Sequence, residues 1–459
     1  MIDRGRREGS FLHWAFLVGT LVLSLINLKP AWAFDPQGDP CDRFKPQTAQ
    51  DLPVEDQLSA DEKQDLFDDV DGILAEMGRM RGLAVRGTIR KAFKDQMWFS
   101  DYFLKASYRE VPQEKGDGFS GFYTWLGLLD PGVDWRGEGA KSLARDILGL
   151  YVPEDKTLYL ADWITPDKIR PVLVHELVHA LQDQAFDLTA MDQKILHSTR
   201  DESAALAALR EGEAVLLSWQ YLAAAEPDGL QGRFKDFGAY LHELETVENG
   251  RRRAWGCPER FSRYLNFSYT QGPLFVQSWV QKDGWKALDR WWKYPPRSTR
   301  QVLQPFQKLA PPEALEFHGM EKGPLRGGTL LWEERFGANG YFMALAPVVG
   351  TSAALLAVAG WTGDRMEFWG NPSEGWKTLV GCASFEDETS SGRFAAAFRA
   401  WQASRRRRGR ILQDDEKVQW FKGPGETASY FVERDGRKVY WIEGLDVLKT
   451  REVRKWLIL

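Results

Sequence analysis

The sequence predicts an α+β protein in which a mainly helical domain with a small β element precedes a smaller α+β domain. The chain has 459 residues, which is too long for one ordinary hydrophobic core. Helical periodicity dominates residues 61–292, and Gly- and Trp-rich segments with strand patterns follow residue 325. We therefore predict one domain over residues 61–329 and a second over residues 330–459.

The N-terminus has the pattern of an export signal. Three arginines lie before a mostly apolar segment at residues 11–26, and Ala31-Trp32-Ala33 then matches the small-x-small cleavage pattern. We predict a signal peptide over residues 1–33 and a periplasmic or secreted mature protein. An uncleaved membrane anchor is the alternative, and it is the only contact with a membrane that we expect. Residues 34–60 are rich in Pro, Asp and Gln and predict a loose leader.

The elements of the first domain follow from periodicity and turn residues. Thr165-Pro166 is a favourable helix start, because Thr caps well and Pro suits the first helical position. Residues 110–140 carry many Gly, Pro and Asp and predict loops. The other predicted elements are a helix over 61–80, a hairpin of strands 148–152 and 157–160, a helix from 165 to 186, and helices over 201–225, 269–280 and 285–292.

The second domain is predicted to contain a helix near 391–403 and strands near 416–421, 429–433 and 438–442. Residues 341–361 carry no charge, but their Pro, Gly, Thr and Ser favour a buried core segment over a membrane span. The spacing of Cys41, Cys257 and Cys382 selects no disulfide and is too wide for a thiolate zinc site.

Charge and aromatic content limit the possible partners. The net charge of −5 gives no overall attraction to nucleic acid, so we expect no nucleic-acid partner. The 20 tryptophans predict well-packed cores, with carbohydrate or cell-wall binding as an alternative that burial of most of them would oppose.

The segment His175-Glu176-Leu177-Val178-His179 carries the chemistry that we consider central. On a helix, residues four apart lie about 40° from each other, so His175 and His179 face the same side. Two imidazoles one turn apart can bind one Zn²⁺. Glu176 lies beside the first of them, where it can take a proton from the water that the metal activates and later give it to a leaving amine.

A catalytic zinc needs a third protein ligand. Position 182 is Gln and position 185 is Ala, so the longer HExxHxxGxxH pattern is absent. We therefore expect an acid from the helix over 201–225, which offers Glu202, Glu211 and Glu213. Glu211 shares a face with Ala204, Ala207 and Ala208, whose small side chains permit close approach to the histidine helix. Glu211 is preferred, and Glu202 and Glu213 stay open as alternatives.

The segment Arg210-Glu211-Gly212-Glu213-Ala214 resembles the Glu-Gly-x-Ala element of gluzincin-type zinc peptidases. The resemblance implies a zincin-like fold, one zinc per chain and Glu211 as the third ligand. The 31 residues between His179 and Glu211 exceed the spacing of the thermolysin-like and aminopeptidase branches, so the branch is not assigned.

Residues 145–445 also resemble a group of exported bacterial HExxH proteins. The similar segments are 175–188, 269–276, Gly284-Trp285, Pro296-Arg297-Ser298-Thr299 and 360–365. That group usually has Glu and a later His after Ser-Thr, where this chain has Arg300 and Gln304. The departure raises an alternative function, that of a catalytically inactive binding or scaffold protein of the cell envelope.

Two further side chains are weaker site candidates. Asp183 lies one turn beyond His179 and could accept its free ring N–H, as metal-bound histidines usually require. Tyr269 could donate to the oxyanion formed during attack on a carbonyl. The predicted function is zinc-dependent hydrolysis of peptide bonds in a peptide or protein substrate.

Overall fold

The computed structural model describes residues 58–195, 198–225, 236–241, 267–405, 410–423, 425 and 427–457. The predicted signal peptide, the leader up to residue 57, Cys41 and Cys257 lie outside these described residues. The fold is α+β, as predicted. The chain divides into two compact units. Unit 1 contains the residues up to Glu110, Asp134–Ser198 and Leu206–Pro296, and unit 2 contains Val111–Val133, Thr199–Ala205 and Arg297–Leu459. The domain boundary at residues 329 and 330 remains a prediction.

The first half of the chain is mainly helical. Its elements are α1 (Ala60–Arg81), β1 (Arg90–Lys94), α2 (Gln96–Glu110), α3 (Gly116–Trp125), α4 (Trp135–Asp146), β2 (Gly149–Val152), β3 (Thr157–Ala161), α5 (Pro166–Phe186), α6 (Leu188–Ile195) and α7 (Arg200–Ala225). The predicted hairpin and the helices over 61–80, 165–186 and 201–225 are confirmed within a few residues.

The second half carries most of the strands. Its elements are α8 (Phe267–Asp283), α9 (Ala287–Lys293), α10 (Thr299–Leu303), β4 (Thr329–Glu334), α11 (Gly337–Val349), α12 (Thr351–Val358), β5 (Trp361–Asn371), β6 (Trp376–Phe385), α13 (Glu388–Arg405), β7 (Ile411–Asp414), β8 (Val418–Lys422), β9 (Ser429–Asp435), β10 (Lys438–Glu443) and α14 (Val447–Leu457). The predicted helices over 269–280, 285–292 and 391–403 and the three predicted strands are confirmed.

Local sequence explains where α1 begins and ends. The Ser59 hydroxyl accepts from the Glu62 amide, and the Glu62 carboxylate accepts from the Ser59 amide, which forms a capping box. Gly82 ends the helix in the left-handed conformation, with φ 79°, which glycine adopts without steric cost. The buried face of α1, which includes Val70, Leu74 and Met77, belongs to the core of unit 1.

A three-stranded sheet supports α5 in unit 1. Its order is β1-β3-β2, with β1 parallel and β2 antiparallel to β3. Helix α5 packs on β2 at close range, since a Cβ at Gly149 would lie 2.4 Å from Val172 Cγ1 and 3.0 Å from Glu176 Cγ. The glycine therefore lets the strand approach the helix that carries the HExxH segment.

The prediction that residues 110–140 form loops is wrong. They contain α3 and the first turns of α4. The aromatic side chains Phe119, Phe122 and Tyr123 of α3 are buried, and Asp134 caps α4 by accepting from the Gly137 amide at 3.0 Å. Glycine here serves close packing as well as turns, because a Cβ at Gly118 would clash with the backbone of β4.

Unit 2 contains a seven-stranded antiparallel sheet in the order β4-β5-β6-β10-β9-β8-β7. The longest strands, β5 and β6, are almost continuously buried and lack the alternation that marks a half-exposed strand, so the sequence did not predict them. The uncharged segment 341–361 forms parts of two helices that break at Gly350, and it is only partly buried, since Leu356 is 56% exposed. Among the described residues we find no helix with the length and apolarity needed to cross a bilayer.

Candidate metal centre

Helix α5 presents its two histidines side by side. His175 and His179 lie one turn apart with ring centroids 4.9 Å from each other and ring planes at 86°. Each residue is only 4% exposed. The two imidazoles therefore form a buried pair within unit 1, on the helix that the sequence predicted.

Glu211 of α7 completes a triangle of ligand atoms with this pair. Its Oε2 lies 3.3 Å from His175 Nε2 and 3.4 Å from His179 Nε2. Two ligands bound to one ion at about 2.0–2.1 Å with tetrahedral angles are separated by about 3.3–3.4 Å. In the described part of the chain, these three residues form the one cluster of His, Cys, Asp or Glu side chains that can share a metal ion.

The burial and the negative charge of Glu211 also suit a site for a cation. The residue is fully buried, and its Oε2 lies beside the two imidazole nitrogens. A buried carboxylate is costly unless a cation or hydrogen bonds compensate its charge. Burial raises the pKa of Glu211, but the charges of His179 and His175 and the hydrogen bonds from them outweigh that effect and lower it, so the group is held as a carboxylate. Two imidazole nitrogens and one carboxylate oxygen are a ligand set that suits zinc.

Two glycines let α7 approach its neighbour α8 beside this site. A Cβ at Gly212 would lie 2.3 Å from the carbonyl carbon and oxygen of Gly272. A Cβ at Gly272 would in turn lie 2.3 Å from the Ala208 carbonyl oxygen. The backbones of α7 and α8 are therefore in direct contact at the residue that follows Glu211.

Glu176 lies next to the imidazole pair and is fixed by the sheet. Its Oε2 accepts a hydrogen bond of 2.7 Å from the backbone amide of Tyr151 in β2. The residue is 6% exposed, and burial raises its pKa to about 7 against the lowering effects of His175 and the Tyr151 amide. A buried carboxyl group with such a pKa can both accept and return a proton near neutral pH.

The two alternative third ligands have other partners. Glu213 is fully buried and accepts from Arg81 of α1 and from the Trp292 indole of α9. In unit 2, Glu202 lies 3.3 Å from Arg297, and its side chain is 28% exposed. Of the three acids, Glu211 is the one that lies with the two imidazoles.

Of the two weaker candidates, Asp183 makes contacts other than the expected one, and Tyr269 lies beside the site. Asp183 forms no hydrogen bond with His179 among those of the described residues. It accepts from the Tyr151 hydroxyl at 2.8 Å, from Lys156 at 2.7 Å and from the Leu188 amide at 3.1 Å, and so ties the β2–β3 turn to the end of α5. Tyr269 is buried and stacks over the His175 ring with centroids 6.3 Å apart.

Sequence reasoning missed Gln182 and Tyr151. Gln182 Oε1 lies 2.9 Å from His179 Nδ1, the position that we expected Asp183 to fill. Residues three and four apart on a helix both neighbour the first residue, so spacing alone allowed either. Tyr151 contacts Glu176 through its backbone amide, and the pattern of side chains in a sequence does not predict a backbone contact.

Arg300 and Gln304 depart from the pattern of the similar exported proteins, and both have structural contacts within unit 2. Arg300 donates to the Trp361 carbonyl at 2.8 Å and pairs with Glu386 at 2.7 Å. Gln304 donates to the Ala359 carbonyl at 3.0 Å. Both side chains thus tie α10 to the residues around the start of β5.

Comparison with known proteins gives one match. Residues 329–454, from β4 into α14, match the model of a domain family of unknown function, DUF8575. No curated protein and no solved structure matches the chain.

Proposed function

We propose that the chain is a zinc-dependent hydrolase that cleaves peptide bonds, with a zincin-like arrangement in unit 1. The observation that carries this proposal is the triangle formed by His175 Nε2, His179 Nε2 and Glu211 Oε2. Its N–O distances of 3.3 and 3.4 Å match the separation of ligands around a tetrahedral zinc. The full burial of the Glu211 carboxylate beside the two imidazoles supports the same conclusion.

The three residues of the triangle would hold the metal, and Glu176 would handle the proton. When bound, zinc supplies a Lewis acid that lowers the pKa of a water and polarises a carbonyl group. The Tyr151 amide fixes one oxygen of Glu176, which leaves the other to take a proton from water and to return it to the leaving amine. Burial of the site keeps bulk water from competing for that proton.

The peptide bond as substrate rests on the resemblance of residues 210–214 to the Glu-Gly-x-Ala element of gluzincins. We also propose export of the mature chain, on the pattern of residues 1–33. Binding of carbohydrate is less well supported, because most of the described tryptophans are buried or half-buried. Among them, only Trp456 is clearly exposed, with 46% of its surface accessible.

Metal analysis followed by a cleavage assay tests the proposed function. We expect one zinc per chain after purification, and its loss in the double variant His175→Ala/His179→Ala. Glu176→Gln should keep the zinc and lose about 10²–10⁴-fold in the rate of hydrolysis of an unfolded protein substrate. The matched control is Glu202→Gln, which should keep both zinc and activity.

Two results would contradict the proposal. A purified chain that holds no zinc and takes up none on addition lacks the metal chemistry. A zinc-bound chain that cleaves no peptide bond, or that cleaves equally fast with Glu176→Gln, is not a hydrolase of this mechanism. A zinc-bound chain that cleaves no peptide bond would favour the scaffold alternative.

A further inference from the structure

In the described part of the chain, Gln182 is the one side chain that is hydrogen-bonded to the Nδ1 of a candidate histidine ligand. Its Oε1 lies 2.9 Å from His179 Nδ1. The corresponding Nδ1 of His175 has no hydrogen-bond partner among the described residues, and that ring is packed against Tyr269 instead. The two imidazoles are therefore held in different ways, one by a hydrogen bond and one by ring stacking.

The amide of Gln182 has only one possible orientation. Its Nε2 donates to the Arg210 carbonyl at 3.0 Å and lies 3.4 Å from Glu213 Oε2. A carbonyl and a carboxylate accept hydrogen bonds and cannot donate them, so the NH₂ group must face them. The amide oxygen must then face His179, and it can only accept.

This orientation determines the proton position on the His179 ring. Because the Gln182 oxygen can only accept, it holds a hydrogen on Nδ1, which leaves Nε2 as the nitrogen that can offer a lone pair to a metal ion. Without an ion, the Glu211 carboxylate is a second acceptor, at Nε2. We infer that Gln182 is a positioning residue that fixes His179 in the Nδ1–H tautomer required for metal binding through Nε2. The inference rests on the proposed zinc function.

Glu213, which the Gln182 amide faces, belongs to a buried ion pair. Glu213 receives hydrogen bonds from Arg81 and from the Trp292 indole, and Arg81 also lies 3.0 Å from Asp289. Arg81 is 1% exposed and Glu213 is fully buried. Removing either partner of such a pair would leave a buried charge without compensation, so Glu213 and Arg81 hold each other in place. The ion pair thereby fixes the Glu213 carboxylate as an acceptor for the NH₂ group of Gln182.

The tautomer can be read directly in the metal-free chain. We would label histidine with ¹⁵N and record the imidazole resonances at pH 8, assigning His179 by its loss in His179→Ala. We expect a protonated Nδ1 in the parent and a shift toward the Nε2–H form in Gln182→Leu. The control is Gln184→Leu, which removes an amide of the same helix that accepts from the Arg86 amide at 2.7 Å. An Nε2–H tautomer in the parent, or an unchanged tautomer in Gln182→Leu, overturns the inference.

Zinc affinity gives a second readout, measured by competition with a chromogenic chelator. Gln182→Leu should bind zinc about 10–100-fold more weakly than the parent, and Gln184→Leu should bind within about twofold. Gln182→Glu should also bind weakly, because its carboxylate would face that of Glu213.

The outcomes separate this inference from the proposed function. A parent chain without zinc defeats the proposed function, and the tautomer measurement then still decides the role of Gln182. A parent chain that binds zinc with the same affinity as Gln182→Leu defeats the inference and leaves the proposed function intact.

Discussion

Gly212→Ala tests whether the contact between α7 and α8 places Glu211 at the imidazoles. The new Cβ would lie 2.3 Å from backbone atoms of Gly272, whereas ordinary carbon contacts are about 3.5–4.0 Å. Backbone atoms cannot turn away as a side chain can, so the helices must separate by about 1 Å. Overpacking of this kind typically costs about 1–3 kcal/mol.

The separation should also weaken zinc binding. Glu211 immediately precedes the substituted residue, and its Oε2 lies 3.3–3.4 Å from the two imidazole nitrogens. A shift of about 1 Å would stretch this triangle beyond the spacing that a tetrahedral ion accepts. We expect a loss of at least tenfold in zinc affinity together with the loss of stability.

The assays are urea unfolding of the metal-free chain and chelator competition for zinc. The matched control is Gly72→Ala in α1, where no atom lies within 4 Å of the added Cβ. That variant should gain up to about 1 kcal/mol from the higher helix propensity of alanine and keep its zinc affinity. If Gly212→Ala is as stable as the parent and binds zinc equally well, the close helix contact does not position Glu211.

Three further predictions concern other parts of the chain. Glu211→Ala should weaken zinc binding at least tenfold in the same competition assay, whereas Glu202→Ala should leave it unchanged; the reverse result would reassign the third ligand. N-terminal sequencing of the exported protein should begin directly after Ala33, and an intact N-terminus would point to an anchor. Burial raises the pKa of Asp201 from 3.8 to about 7, although Thr299 donates to it. The folded protein then holds a proton that the unfolded chain releases, so the free energy of unfolding should fall between about pH 4 and pH 7. Asp201→Asn should flatten this slope in urea unfolding across that range, and an unchanged slope would show that the carboxyl group does not cause it.

Local patterns were sufficient for the parts of the fold that local physics decides. Helix α5 begins with Pro166 at its first position, as predicted, although the Thr165 hydroxyl makes no capping hydrogen bond. Helical geometry alone places His175 and His179 on one face. Elements whose side chains are buried on both faces were harder to predict from the sequence. Strands β5 and β6 lack alternation because nearly every side chain is buried. Helix α3 was not predicted because its glycines resemble turn residues, whereas Gly118 packs closely against β4.

The sequence by itself determined the histidine pair and the choice of three acids for the third ligand. Only the tertiary structure selected among them. Glu211 and Glu213 lie about 200° apart around α7, so the outcome depends on which face of that helix meets α5. The contact between Gly212 and Gly272, far apart in the sequence, helps set that face, and it leaves Glu213 to pair with Arg81. A similar rule separates Gln182 from Asp183, since both neighbour His179 on the helix and only long-range partners, such as the β2–β3 turn, decide which one reaches it.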